Sequence, residues 1–269
     1  MKNRIRGIMH VHSNYSFDGT LSLPEIKEIC TKNKLSFAVL TEHADGEQFT
    51  PEKMGGFLKE CESLSDNSFV FIPGLEYECE RMHVLAIGAG EYLIEDNLTN
   101  LMEKINKSGS LAVLAHAKYY EEIPYDKLSN LDGLEAWNSR YDGRYSPSKK
   151  SLFILAKFRE QNKDLPAYCG LDMHKKHSFG ALTTTVEADG LTKEKILEAL
   201  KQKRFYSSGK YITFKAQGDP STGKKIIFSS IEAAYSLANA GRKTASKIMT
   251  TFGIKTPRSV SKISKKIFD

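Results

Sequence analysis

From residue 5 to residue 201 the chain alternates short apolar runs, rich in β-branched residues, with longer segments whose apolar residues recur at helical spacing. That rhythm predicts repeated strand and helix units, and therefore an α/β fold. Strands are expected at 5–12, 37–41, 69–72, 83–87, 111–115, 133–137 and 167–170. Ser22-Leu23-Pro24-Glu25 has the spacing of a capping box with proline in the first turn, and Ile26, Ile29 and Cys30 give the helix that follows an apolar face. Leu98, Leu101, Met102 and Ile105 predict a second helix, with Gly109 placed to end it. Leu152, Leu155 and Ala156 mark a third, and Thr192 caps a fourth that runs to Lys201. Seven strands joined largely by helices, with polar groups at the strand ends, fit a closed barrel better than a small open sheet.

Composition changes this picture in one place. The 269 residues are 40% apolar and 27% charged, as in ordinary globular proteins. The net charge of +6, however, hides a division: residues 201–269 carry 15 Lys or Arg against three acids, leaving the first 200 residues net acidic. Gln217 to Lys225 reads as a loop, so the expected organisation is a barrel over 1–217 and a basic, mainly helical appendage over 218–269. A nucleic-acid contact, a membrane-surface contact and a solvated appendage all remain open for that tail. No zinc-finger, RNA-recognition or heptad pattern accompanies it. Cys30, Cys61, Cys79 and Cys169 form no C-x-x-C pair and are expected to be reduced. The first residues lack the apolar stretch of a secretory signal and no run is long enough to span a bilayer, so a cytoplasmic location is expected.

The chemistry lies at the strand ends. His10-Val11-His12 closes the first strand, and strand alternation would put both imidazoles on one face about 7 Å apart. Asp172-Met173-His174 repeats the spacing beyond another strand, with a carboxylate in place of one histidine. Asp18, His43, Glu76, His83 and His116 occupy comparable positions beside apolar runs. One histidine at a strand end is most simply a core or surface residue; six of the chain's seven so placed point to metal ligation. His177 is the seventh and reads as an exposed loop residue.

Taken in order, HVHSNYSFDG, TEHAD, PGLEYE, HVL, AHA and GLDMH resemble the successive motifs of the PHP family, named for polymerase and histidinol phosphatase. The resemblance covers roughly residues 6 to 208 and implies a distorted (β/α)7 barrel with a trinuclear site. It implies one metal on His10, His12, Glu76 and Asp172, a second on Glu76, His83 and His116, and a third on Asp18, His43 and His174. Glu42 stands where many members carry Asp, and is expected to orient a histidine rather than bind a metal. The stretch LEAWN, with Glu135, Trp137 and Asn138, also resembles the family; Trp137 could stack on a substrate ring or pack in the core.

The expected cofactors are two or three divalent ions, Zn, Mn or Fe, since imidazole and carboxylate ligands suit all three. Ions about 3.5 to 4 Å apart can share a hydroxide and hold it in line with a phosphorus atom. The function so implied is hydrolysis of a phosphate monoester or diester: a nucleotide, a short oligonucleotide or a small phosphorylated metabolite such as histidinol phosphate. Asp18 and His174 count among the expected catalytic residues together with the cations Arg81, Lys118 and Arg140, which could reach an anionic substrate, as could Lys175; each of these cations is also an ordinary solvated side chain. Two other readings stay open, a metallohydrolase acting on a non-phosphate bond and a nucleic-acid-binding protein that uses the basic tail.

Overall fold

The computed structural model describes residues 2–44 and 49–218. The expectations for the tail, 219–269, lie outside the described residues, as does the whole stretch 45–48 that follows the histidine of TEHAD.

Within the described residues twelve strands and five α-helices alternate along the chain. The first strand, β1 (Asn3–Val11), leads into α1 (Leu23–Lys32), β2 (Phe37–Leu40), the short β3 (Glu42–His43) and α2 (Pro51–Leu64). Next come β4 (Val70–Ile72), β5 (Gly74–Cys79), β6 (Met82–Ile87), α3 (Leu98–Lys107), β7 (Leu111–Leu114), β8 (Gly133–Asn138), α4 (Lys149–Gln161) and β9 (Ala167–Gly170). The chain continues with β10 (Thr183–Ala188), α5 (Lys193–Lys201), β11 (Phe205–Ser208) and β12 (Thr213–Lys215). All seven expected strands are present, and Ser22, Asn97, Ser148 and Thr192 cap α1, α3, α4 and α5 with their side chains. The capping box is complete: Glu25 accepts from the Ser22 backbone N–H while the Ser22 hydroxyl accepts from Glu25.

Two features depart from the expected barrel of parallel strands. The strands form two six-stranded sheets, β12-β11-β10-β1-β2-β4 and β3-β5-β6-β7-β8-β9. Both are mixed, because β10 pairs antiparallel with β1 and β6 pairs antiparallel with β5 and β7, whereas β1–β2, β2–β4, β7–β8 and β8–β9 are parallel. A short turn explains one of these pairings: β5 and β6 are joined by Glu80 and Arg81 alone, both at positive φ, and a hairpin that tight permits only antiparallel pairing. The fold is therefore α/β with mixed sheets.

An apolar core joins the two sheets, built from Ile5 and Met9 of β1, Phe37 and Val39 of β2, Leu85 and Ile87 of β6, and Leu111 and Val113 of β7. Helix α5 closes it with Ile196, Ala199 and Leu200. The sheets are stitched where β9 runs out beside β1: Leu171 N–H donates to Met9 O, Met173 N–H to His10 O and His12 N–H to Met173 O. The four cysteines are buried and free, as expected. No helix among the described residues is long and apolar enough to cross a membrane.

Candidate metal centre

The stitching between β1 and β9 brings the two i, i+2 motifs together. Val11 and Met173 form a parallel bridge, so His10 and His12 stand beside Asp172 and His174. Simple strand alternation does not describe His10, however. The β1–β2 register shifts between Ile8 and Val11, His10 has φ of 60°, and the His10 and His12 rings are 5.2 Å apart. Two further predicted ligands, His116 (φ 28°) and Asp172 (φ 52°), also occupy the left-handed region. Each such non-glycine residue costs on the order of 1–3 kcal/mol, and their concentration in one cluster marks a site where geometry is held against local preference.

Glu76, from β5, is the centre of the arrangement. Its Oε1 lies 3.0 Å from His83 Nδ1 and 3.0 Å from His116 Nε2, while Oε2 lies 3.4 Å from His10 Nε2, 3.3 Å from His12 Nε2 and 3.4 Å from His43 Nδ1. Asp172 Oδ1 approaches His10 Nε2 at 3.9 Å and His12 Nε2 at 3.7 Å. Asp18 reaches His43 Nε2 at 3.4 Å with one oxygen and His174 Nε2 at 3.0 Å with the other. All nine predicted ligands thus converge. Three overlapping groups have donor atoms within 4.8 Å of one another: His10, His12 and Glu76; Glu76, His83 and His116; and His12, His43 and His174. The last differs from the expected trio of Asp18, His43 and His174 in taking His12, which packs against both the His43 and the His174 rings at separations of 4.3 and 4.1 Å.

These residues fit metal ions. His12 Nε2, Asp18 Oδ1 and His116 Nδ1 are three of the four buried side-chain polar atoms that lack a hydrogen-bond partner among the described residues. A buried polar atom left so costs about 1–3 kcal/mol, which a coordinated ion would offset at His12 Nε2 and Asp18 Oδ1, whereas His116 faces Glu76 with its other nitrogen, Nε2. The electrostatics agree. Burial opposes a charge on His10, yet Glu135, Glu76 and Asp172 hold its pKa well above the usual histidine value, so three carboxylates demand positive charge between them. Burial also opposes ionisation of Glu76, but His10, His116 and His12 keep its carboxyl well below the usual range. His12 is pushed down to about 3 by burial, which leaves its ring neutral and able to donate a lone pair. The set contains imidazole nitrogen and carboxylate oxygen without thiolate, and the three groups have the capacity for two or three ions.

A second layer fixes the imidazoles. His10 Nδ1–H donates to Glu135 Oε1 at 2.9 Å, and Glu135 Oε2 accepts from the His116 backbone N–H and the Asn138 amide. Gly170 makes room for this: a Cβ there would lie 1.8 Å from Glu135 Oε1 and 2.6 Å from His10 Cβ. Glu42 accepts from the Ser13 N–H and hydroxyl and, at 2.5 Å, from the Ser16 hydroxyl. Ser16 Oγ in turn accepts from the His43 backbone N–H at 3.0 Å and lies 3.3 Å from His12 Nδ1. Burial pushes Glu42 up to about 7, with the Ser16 and Ser13 hydrogen bonds pulling the other way. Ser13 and Ser16 escaped sequence reasoning; their signal was the two serines of HSNYS beside a carboxylate motif.

The expected cations are placed unequally. Arg140 Nη1 lies 3.3 Å from Asp172 Oδ1 and 3.2 Å from His174 Nδ1, so it reaches the cluster. Arg81 is exposed at the β5–β6 turn, where it lines two cavities that His83 also lines. Lys118 is half-buried in the single 3-10 turn after His116, and Lys175 and His177 are exposed. Trp137 is fully buried with its indole N–H on Gly143 O, so it packs in the core and cannot stack on a substrate. Tyr141, which the sequence did not single out, packs 4.8 Å from the His116 ring, with the Arg140 guanidinium 5.8 Å from its own ring.

No family model matches the sequence, and no curated protein matches it significantly. Solved structures do share its fold. A two-domain protein from Bacteroides vulgatus, with a predicted PHP-like metal-dependent phosphoesterase, aligns with a TM-score of 0.57 at 18% identity, over 77% of this chain and 65% of that one. PsfC from Pseudomonas syringae aligns with a TM-score of 0.52 at 16% identity, over 87% of this chain and 99% of that one. A lesion-specific endonuclease from Pyrococcus furiosus gives a TM-score of 0.50 at 19% identity, over 74% of this chain and 56% of that one. The chain therefore spans less than two thirds of the first and third of these structures. At such identities the likeness is one of architecture: the chain shares the fold of these structures, and among its described residues three groups of His and Glu side chains could hold metal ions.

Proposed function

We propose that this chain is a metal-dependent phosphoesterase, with a distorted (β/α)7 barrel of the PHP type, that hydrolyses a phosphate ester by activated water. The observation that carries the reading is Glu76, whose two oxygens are shared among five imidazoles, as a bridging ligand requires. His10, His12, Glu76 and Asp172 would hold one ion, Glu76, His83 and His116 a second, and Asp18, His43 and His174 a third. Bound ions supply Lewis acidity toward a phosphoryl oxygen and make water a nucleophile near neutral pH.

The chain's own groups do the rest. Glu135 fixes a proton on His10 Nδ1 and turns Nε2 toward Glu76 and Asp172. Arg140 is about half exposed while one of its nitrogens touches Asp172, which leaves further N–H groups free to hold a phosphate oxygen at the mouth. Asp18, one-third exposed, stands on the open side of the cluster with the buried His174 Nε2 3.0 Å behind it, and the two are proposed to meet substrate as well as metal. Arg81 lines a cavity with Glu76 and His83, and Lys118 is proposed to approach from the 3-10 turn after His116. The substrate is a small phosphorylated metabolite, a nucleotide or a short oligonucleotide.

The test is elemental analysis of the purified full chain together with hydrolysis of a generic aryl phosphate, for wild type and for His10→Ala with His12→Ala. Two or three ions per chain, and turnover that disappears in the double variant, are expected. Full metal loading without hydrolysis of any phosphate ester would move the chemistry to another scissile bond; no metal at all would remove the reading.

A further inference from the structure

Phe17 stacks on the edge of a cluster of imidazole rings in which His43 and His174 are themselves 5.6 Å apart. His174 and His12 lie 4.1 Å apart at 17°, His12 and His43 4.3 Å apart at 26°, and Phe17 follows His43 at 5.1 Å and 27°. Three of these rings belong to predicted ligands; the fourth is an apolar side chain that is 57% exposed. It faces a cavity of about 560 Å³ that reaches the cluster itself, being lined by Phe17, His43, Glu76 and His83. Ile94, 76% exposed, stands on the same cavity, so two of the five exposed large apolar side chains among the described residues meet at the mouth. The volume lies in the range of a small-molecule site.

The charged groups of this cavity favour one kind of occupant. Glu78, Glu80, Glu95 and Asp96 line it with Arg81 as the one lining Lys or Arg among the described residues. Lys127 and Lys104 compensate Glu80 and Glu95 in ion pairs without lining the cavity, so Glu78 and Asp96 against Arg81 leave its wall net carboxylate. An anionic group beyond the scissile phosphate would meet that wall, while an uncharged or cationic ring would meet Phe17 and Ile94.

We propose that this cavity binds the leaving alcohol of the substrate, that Phe17 is its stacking face for a planar aromatic ring, and that the ring carries no second anionic group. The inference rests on the phosphoesterase reading and narrows it to aromatic phosphate monoesters with a neutral or cationic body, which sets polyanionic strands aside. Hydrolysis transfers the phosphoryl group to water; the ester P–O bond breaks and the ring leaves as its alcohol after taking up one proton.

Benzyl phosphate, n-butyl phosphate and 4-carboxybenzyl phosphate test it, because all three leave as alkyl alcohols and differ in ring and charge. With the metal-loaded full chain, kcat/KM for benzyl phosphate should exceed that for butyl phosphate by about ten-fold, mostly through KM, since ring-on-ring contact is worth roughly that factor. The 4-carboxyl group should lower kcat/KM. Phe17→Leu should reduce the benzyl preference to under about two-fold, and Phe17→Trp should retain it, as expected for stacking rather than apolar bulk. Equal kcat/KM for benzyl and butyl esters, a preference unchanged in Phe17→Leu, or metal lost from that variant in step with the preference would overturn this inference and leave the phosphoesterase reading intact. Hydrolysis of none of the three esters would also overturn this inference, and only the further absence of turnover on every other phosphate ester would remove the phosphoesterase reading with it.

Discussion

The parallel strands β7, β8 and β9 begin at one end of the molecule and finish at the other, and the two ends are built differently. At the start stand Ser110, Asp132 and Pro166, around a polar cavity of about 420 Å³ that Asn162 and Lys201 also line. Asp132 accepts a hydrogen bond from Ala112 N–H at 2.8 Å, and burial raises its pKa. The three groups of potential metal ligands all lie elsewhere. At the finish stand His116, Asn138 and Asp172, with two of the three in the left-handed region and a carboxylate surrounded by imidazoles. Both ends contain buried polar groups, and Lys203 beside the polar cavity also has positive φ, but three predicted ligands in the left-handed region and the unpartnered His12 Nε2, Asp18 Oδ1 and His116 Nδ1 gather at the finish. That asymmetry, more than the presence of histidine, identifies the working end.

The largest expected effect comes from exchanging the carboxylates that stand for the two ends. Glu76→Gln should cut bound metal to one ion or fewer and lower hydrolysis by at least about 10³-fold, because the amide cannot bridge as a carboxylate does. Asp132→Asn should leave metal content unchanged and move stability by no more than about 1 kcal/mol, since asparagine can still accept from Ala112. Elemental analysis, turnover and denaturant unfolding of the two variants compare the ends directly. Loss of metal from Asp132→Asn would break the contrast.

Gly170→Ala sharpens it within the working end. The added methyl would strike the Glu135 carboxylate and His10 Cβ, untying the hydrogen bond that orients His10. Metal affinity should fall by at least about ten-fold, read by competition with a chelator, although the substituted residue binds no metal. A smaller loss, toward the lower part of the roughly 10–100-fold range, is expected for Glu42→Gln, which disturbs the Ser13 and Ser16 hydroxyls around His12. Unchanged affinity in both variants would show that these layers do not hold the site. The smallest effect lies far from it. Gly55→Ala and Gly56→Ala should each stabilise the protein by about 0.5–1 kcal/mol in thermal unfolding, since α2 leaves both positions exposed with open space around them.

Those glycines also show where the sequence was hard to read. Met54, Phe57 and Cys61 give α2 a buried face, but the Gly55-Gly56 pair between them weakens the periodic pattern, and the helix was not anticipated. Strand β5 was hidden because Pro73 and Gly74 signal a turn, whereas Gly74 serves close packing: a Cβ there would lie 2.5 Å from Leu40 O. The TTTVEA segment of β10 lies outside the expected strands although it carries β-branched residues. Helices with a polar cap and a clean apolar face, α1, α3 and α5, were legible because cap and periodicity are local. The nine clustered side chains were legible as a set because each sits next to an apolar run. Their local geometry was not, since the bulge at His10 and the left-handed turns at His116 and Asp172 arise from tertiary packing rather than strand alternation. The Glu135 and Glu42 layers depend on contacts across 125 and 26 residues of chain, which no local spacing encodes.

The most direct test of the central claim is anomalous X-ray scattering from crystals of the full chain grown with manganese. Two or three peaks around Glu76, each within coordinating distance of His10 and His12, of His83 and His116, or of His43 and His174, are the predicted result. Crystals without a peak at Glu76, or with ions only at the Asp132 end of the strands, would contradict it.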